Sequence, residues 1–373
     1  DRRVMSRVDT AYYWLTYEGV VDGSFLDLRP LIEEDKNFDT NDFFPNTLSA
    51  FEYEGGIGAL PSDIRVSYLL YDKQIFDKAE VVYPTIGWTK QDFLSAAQET
   101  TSENVSGPQY GFLDTGLARS AFIQFFTNTE ASGTSSLIED AIVEDVRWYV
   151  DLALLHNVMP VISRTGEGFE LASELLNQKR VAMWQGWWLD YEQSKEGRGI
   201  SLFPTKEGPR ALGQMYGYVI SSGTRHPEES WKWLRFLSYQ TTSDGYSLPP
   251  RRSVAEASGY WQQFDSQDID FVQFAAENLL FASPIKPGGQ QLHTAIYSIL
   301  EGTPIEEALT NAELQLEERI TALSTNEPIT VESPAEKRDV TIQFALADDK
   351  EIYSAQVEEF QEIQKDIQVN LLF

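Results

Sequence analysis

Val340-Thr341-Ile342-Gln343-Phe344-Ala345-Leu346 alternates apolar and polar side chains with the period of a strand, and Ile367-Gln368-Val369-Asn370-Leu371 does so again close to the end of the chain. Between them Asp348-Asp349 offers a helix cap, and Ile352, Val357, Phe360 and Ile363 recur at helical spacing. The stretch therefore predicts a strand-helix-strand unit, the kind that opens an α/β domain. At the other end, residues 1–7 run directly into Val8-Asp9-Thr10-Ala11-Tyr12-Tyr13-Trp14, a strand with no earlier strand to pair with. The order of elements places the expected opening of a domain at its end.

Composition bounds what can be built around that unit. With 373 residues, 42% apolar and 13% aromatic, the chain can bury a large core and divide into two lobes or domains. A formal charge of −29 opposes a nucleic-acid or anionic-membrane partner, because the long-range field repels phosphate. Zero cysteines exclude disulfides, thiolate metal sites and cysteine nucleophiles from these residues. His156, His226 and His293 lie at no metal-ligand spacing, so neither a metal nor a cofactor is expected. No run of 18 or more apolar residues occurs. No signal-peptide pattern opens the residues either, which leaves a cytoplasmic protein or a processed or trimmed exported one.

Working back from the tail, residues 324–339 are rich in Ser, Thr, Pro and Glu without apolar periodicity and read as a linker. Before it, helical spacing predicts helices over 305–323, 290–301, 269–281, 227–239, 169–177, 137–156, 89–101, 73–79 and 41–52. Strand-like runs lie between them, among them 66–71 and Val181-Ala182-Met183-Trp184. Alternation of this kind predicts an α/β architecture.

In this order the segments resemble the extracellular solute-binding proteins of sugar ABC importers, the maltose-binding-protein-like family 1. The matching stretches include Gly23-Ser24-Phe25-Leu26-Asp27-Leu28-Arg29-Pro30-Leu31, Gly58-Ala59-Leu60-Pro61-Ser62-Asp63, and Leu70-Tyr71-Asp72-Lys73-Gln74-Ile75-Phe76. Gly87-Trp88-Thr89-Lys90-Gln91-Asp92-Phe93, Lys179-Arg180-Val181-Ala182-Met183, Tyr216-Gly217-Tyr218-Val219-Ile220-Ser221, His226-Pro227-Glu228-Glu229-Ser230-Trp231-Lys232-Trp233-Leu234 and Pro249-Pro250-Arg251-Arg252-Ser253-Val254 follow. Together they run from about Val8 to Leu323.

The resemblance implies a two-lobed periplasmic-binding-protein-like fold (type II), each lobe a sheet flanked by helices, joined by a hinge that closes on ligand in the cleft. By analogy the first lobe takes residues 1–107, 219–258 and 340–373, and the second takes 108–218 and 259–323. The family's opening strand-helix-strand is the unit found here at 340–373. Either the chain is effectively circularly permuted and the linker returns the tail to its own first lobe, or the parent is a tandem of such domains and the tail completes a swapped neighbour. A linker of about 16 residues reaches roughly 50 Å when extended, which permits closure in cis.

A pyranose presents apolar C–H faces and a rim of hydroxyls, so its site needs flat rings plus charged or amide hydrogen-bonding groups. Tyr12, Tyr13 and Trp14 follow a strand, at the edge where clefts form in open α/β sheets. Trp184-Gln185-Gly186-Trp187-Trp188 follows another, with a glycine expected to allow a turn that exposes rings on either side. Tyr216 and Tyr218 flank Gly217. Arg65 and Arg251 lie in loops that the resemblance places near the cleft, and a guanidinium can donate two hydrogen bonds to vicinal hydroxyls or a carboxylate. Asp63, Gln185 and Asp348 complete the candidates. For any one of these the competing reading is structural, a core ring or a loop-pinning ion pair.

The resemblance implies an extracellular or periplasmic binding protein, membrane-associated through its ABC permease, that captures carbohydrate without chemistry. Two other readings stand beside it. A glycoside hydrolase needs two carboxylates about 5 Å apart if retaining, or about 6.5 to 9.5 Å if inverting, and no recognisable catalytic motif is present. A sensor or scaffold domain would keep the fold without the ligand.

Overall fold

The computed structural model describes residues 2–13, 22–104, 107–114, 136–162, 166–205, 208–241, 246–266, 268–281, 288–323, 340–346 and 350–372. Trp14, Asp348 and the 324–339 linker lie outside the described residues. The chain divides into two compact units, residues 1–65 with 213–286 and 319–373, and residues 66–212 with 287–318. The chain passes between them four times, twice within 13-residue strands, Leu60–Asp72 and Gly208–Ile220, and once within the helix Ile305–Leu323.

The first unit is built around the strand Thr10–Tyr13. On one side it pairs antiparallel with Gly208–Ile220, Thr10 opposite Ile220 and Tyr12 opposite Tyr218. On the other it pairs parallel with Val340–Ala345, Thr10 opposite Phe344, and that strand pairs parallel with Ile367–Leu372. The expected strand-helix-strand is therefore present, with the helix Lys350–Ile363 between the strands. Asp9 pins it: its backbone N–H donates to the Gln343 carbonyl (3.0 Å), and its carboxylate accepts from the Gln343 N–H (2.9 Å) and the Thr224 hydroxyl (2.6 Å).

Burial on the tail helix follows Tyr353, Gln356 and Phe360, whereas Ile363 of the expected apolar face is 62% exposed. Phe360 and Phe344 pack edge-on against Trp233 of the helix Pro227–Leu237, with ring centroids 5.0 and 5.5 Å apart. Edge-to-face pairs of this kind add about 0.5–1.5 kcal/mol each beyond their buried area.

In the second unit the strand order is Leu60–Asp72, Val181–Trp187, Gly107–Leu113, Ser102–Asn104, with Val181–Trp187 antiparallel to the first and parallel to the third. Helices Lys73–Ala79, Lys90–Thr100, Asp140–Leu154 and Gly166–Asn177 follow close to the expected bounds. Two starts are set by local chemistry. Asp72 accepts from the N–H groups of Gln74 and Ile75, and Thr89 with Asp92 forms a reciprocal capping box.

Three expectations are corrected. Residues 66–107 belong to the second unit, because Phe93 packs on Phe112 (5.1 Å) and the Thr101 hydroxyl accepts from the Gly111 N–H (2.9 Å). Residues 259–286 and 213–218 belong to the first, where the Asn46 amide donates to the Leu279 carbonyl (3.1 Å) and Arg252 pairs with Glu277 (2.8 Å). The helix over 41–52 is absent: Pro45 removes a donor and Asn46 adopts a left-handed backbone at φ 62°, so turns lead to a short 3-10 helix at Ser49–Phe51.

Candidate functional site

In the first unit, strand register decides which rings meet. Residues directly opposite in an antiparallel pair share a face, and so do residues two apart along a strand. Tyr12 opposite Tyr218, with Tyr216 two positions before Tyr218, therefore puts three tyrosines on one face. Tyr12 stacks on Tyr216 with centroids 5.0 Å apart at 14°, and lies 5.9 Å from Tyr218. Tyr13 points to the opposite face, against Phe25 at 5.8 Å, and so leaves the group.

Asp63 is tied to two of the three tyrosines, directly to Tyr12 and through Ser62 to Tyr216. It is 7% exposed, and its Oδ1 accepts from the Tyr12 phenol (3.0 Å). The Ser62 hydroxyl lies 2.9 Å from both that oxygen and the Tyr216 carbonyl, sharing one proton between them. Burial, reinforced by the Asp63 carboxylate, pushes the Tyr12 phenol far above its ordinary pKa, so it remains a hydrogen-bond donor at any physiological pH. Tyr12 and Tyr216 are half-buried, and the exposed Arg65 holds its guanidinium 6.0 Å from the Tyr216 ring centre. The result is a stacked ring pair with a buried carboxylate at the Tyr12 hydroxyl and a guanidinium over the Tyr216 ring.

In the second unit the tryptophan run is pulled apart. The strand Val181–Trp187 continues through Gly186 instead of turning there; a side chain at Gly186 would meet Leu70. Trp188 begins the short helix Trp188–Glu192 and is 6% exposed, wedged edge-on between Tyr68 (6.3 Å) and Tyr191 (5.2 Å). Trp184 is equally buried, and the Arg198 guanidinium covers it at 5.1 Å. Gln185 is buried and donates to the Ser67 hydroxyl (2.9 Å). Only Trp187 of the run's three indoles is half-exposed; its backbone N–H donates to Asp190 Oδ2 (2.9 Å), which ties the strand end to the helix.

Arg251 is 0% exposed and does not join the tyrosines. Its guanidinium is stacked among Phe38, Phe43 and Tyr239 at 4.0 to 4.5 Å, and Nη1 donates to the Asp39 carbonyl (2.9 Å) and Asp42 (3.2 Å). The resemblance implies a loop near the cleft for Arg251, whereas here it is buried as a packing residue of the first unit. Two residues not anticipated from sequence do join the tyrosine group. Ser62 bridges Asp63 and the Tyr216 carbonyl, and Tyr353 of the tail helix holds its hydroxyl 3.3 Å from that of Tyr218. The available signal for Tyr353 was its spacing of seven from Phe360, which puts both on one helix face.

Two sheet-and-helix units connected by long strands, one carrying a surface of stacked rings, define the class of two-lobed α/β binding proteins. The profile of the bacterial extracellular solute-binding protein family matches residues 8–238, and the chain belongs to that family. Among solved structures, the chain is similar to the sugar-binding protein MalE from Xanthomonas citri (16% identity, 84% of each chain, TM-score 0.64). It is also similar to an ABC transporter solute-binding protein from Thermotoga lettingae bound with α-D-tagatose (20% identity, 86% of this chain and 87% of that one, TM-score 0.62). A third is an ABC substrate-binding protein from Listeria monocytogenes in complex with cycloalternan (18% identity, 84% and 85%, TM-score 0.60). Among curated protein sequences, none matches significantly. Among the described residues, no helix is long and apolar enough to cross a membrane.

Proposed function

We propose that the chain is the carbohydrate-capturing component of an ABC importer and that the sugar lies on the Tyr12–Tyr216 ring pair. One observation carries this reading: two half-buried tyrosines stacked at 5.0 Å, flanked by Asp63 and Arg65. Ring faces match the C–H face of a pyranose, and the charged groups beside them match its hydroxyls. The structural relatives with bound tagatose and cycloalternan support a carbohydrate over other solutes. Trp187, half-exposed in the second unit, is the remaining ring candidate. The reading includes a permease that receives the sugar at the membrane surface, and binding without catalysis. Hydrolysis needs two carboxylates at the sugar, whereas among the described residues the carboxylate hydrogen-bonded to the tyrosine group is Asp63, which already accepts from Tyr12.

A thermal-shift screen against neutral and acidic mono- and oligosaccharides, with product analysis of each positive, tests it. Ligand at about 100 times its Kd adds roughly 2.7 kcal/mol, a shift of a few degrees in Tm. A shift with the sugar recovered intact is expected. Cleavage of the sugar would move the reading to a hydrolase, and no shift with any sugar would remove the carbohydrate assignment.

A further inference from the structure

The tyrosine group is completed from the far end of the chain. Tyr353, in the first turn of Lys350–Ile363, is 3% exposed; its ring centroid lies 6.1 Å from Tyr12 and 5.3 Å from Phe344, and its hydroxyl meets Tyr218. Phe344 is the residue opposite Thr10 in the parallel pairing, and its ring lies 6.3 Å from Tyr218. Phe360, on the same helix face, behaves differently. Its ring partners are the buried Trp233 and the half-buried Phe236 of the helix Pro227–Leu237. One buried aromatic of the tail helix thus serves the core while the other surrounds Tyr12.

We propose that Tyr353 is a positioning residue of the ligand site, so that docking of the C-terminal strand-helix-strand and sugar binding are coupled. Tyr12 is flanked by Tyr216, Tyr218 and Tyr353 at 5.0, 5.9 and 6.1 Å, so the tail supplies one of three ring contacts that hold its side chain in the stacked orientation. The Tyr353 hydroxyl, taken out of water, meets that of Tyr218 at 3.3 Å, so displacing the tail breaks this contact as well as the ring contact with Tyr12. Coupling of this kind is reciprocal: whatever factor the docked tail adds to sugar affinity, bound sugar adds to tail docking. The inference rests on the tyrosine group being the sugar site, and its test separates the two.

Wild type, Tyr216→Ala, Tyr353→Phe and Phe360→Leu are titrated with maltose, α-D-tagatose and glucuronate by calorimetry, with Tm measured alongside and hydrogen exchange followed over residues 340–372. Tyr216→Ala is expected to weaken binding more than tenfold. Tyr353→Phe keeps the ring and loses one hydrogen bond, so binding weakens roughly fivefold while Tm stays near that of wild type. Phe360→Leu lowers Tm and keeps wild-type affinity. Sugar slows exchange across 340–372 in wild type, and less so in Tyr353→Phe. Wild-type affinity in Tyr353→Phe together with lost binding in Tyr216→Ala overturns the positioning role alone. So does an affinity loss in Phe360→Leu as large as in Tyr353→Phe, which would mark general destabilisation. Wild-type affinity in Tyr216→Ala, or no binding of any of the three sugars to the wild type, overturns the platform reading and this inference with it.

Discussion

The two aromatic groups differ in how they are assembled. In the first unit, Tyr12, Tyr216, Tyr218 and Tyr353 come from three separate parts of the chain and converge around one buried carboxylate. In the second, Trp184, Trp187 and Trp188 are near neighbours in sequence and end in three different environments: under Arg198, half-exposed, and wedged between Tyr68 and Tyr191. Alternation along a strand sends adjacent side chains to opposite faces, and entry into a helix redirects the next one. Density of rings in a sequence therefore does not predict a ring surface. Register across strands does.

The largest expected effect tests the assignment of Trp188 to packing. Trp188→Ala should cost about 3–5 kcal/mol of stability, read from the denaturant midpoint, while the folded fraction keeps its sugar affinity. Affinity lost at unchanged stability would erase the contrast between the two groups. Next in size, Trp187→Ala should weaken sugar binding more than tenfold, about 1.4 kcal/mol, with little change in the midpoint. Unchanged affinity would remove the second unit's indoles from the site and leave binding to the tyrosines.

The smallest effect at neutral pH separates the groups by titration. Burial raises the phenols of Tyr68 in the second unit and Tyr353 in the first above their ordinary value, with Tyr218 adding to the shift of Tyr353, and Tyr71 is pushed up to about 12, again chiefly by burial. A raised folded pKa stabilises the fold fully below the unfolded value near 10. That stability is lost as pH rises beyond it, because only the unfolded chain then releases the protons. Stability should thus be flat to about pH 10 and fall above it, by about 1.4 kcal/mol per pH unit for each fully buried phenol. Tyr353→Phe should reduce that slope by one such contribution, read from denaturant midpoints at stepped pH. A slope unchanged by the substitution would place the Tyr353 hydroxyl in water.

Much of the fold was legible because it is written in local periodicity. Alternation marked the strands Thr10–Tyr13, Val340–Ala345 and Ile367–Leu372, helical spacing marked most of the helices, and the caps at Asp72 and Thr89 are set by residues within three positions. The failure at 41–52 has the same origin, since apolar spacing alone does not register that Pro45 lacks a donor and Asn46 turns left-handed. Charge, the lack of cysteine and the tail's strand-helix-strand pattern were likewise decided by the amino acids themselves. What only the tertiary structure decided is which distant residues meet. Arg251 entered the core because three rings and Asp42 surround it there, residues 66–104 joined the second unit through contacts such as Phe93 on Phe112, and Tyr353 reached Tyr12 across more than three hundred residues through the pairing of Phe344 with Thr10. The physical reason is range: spacing of side chains dictates the periodicity of each element, while contacts between elements depend on sheet register and packing, which no local pattern specifies.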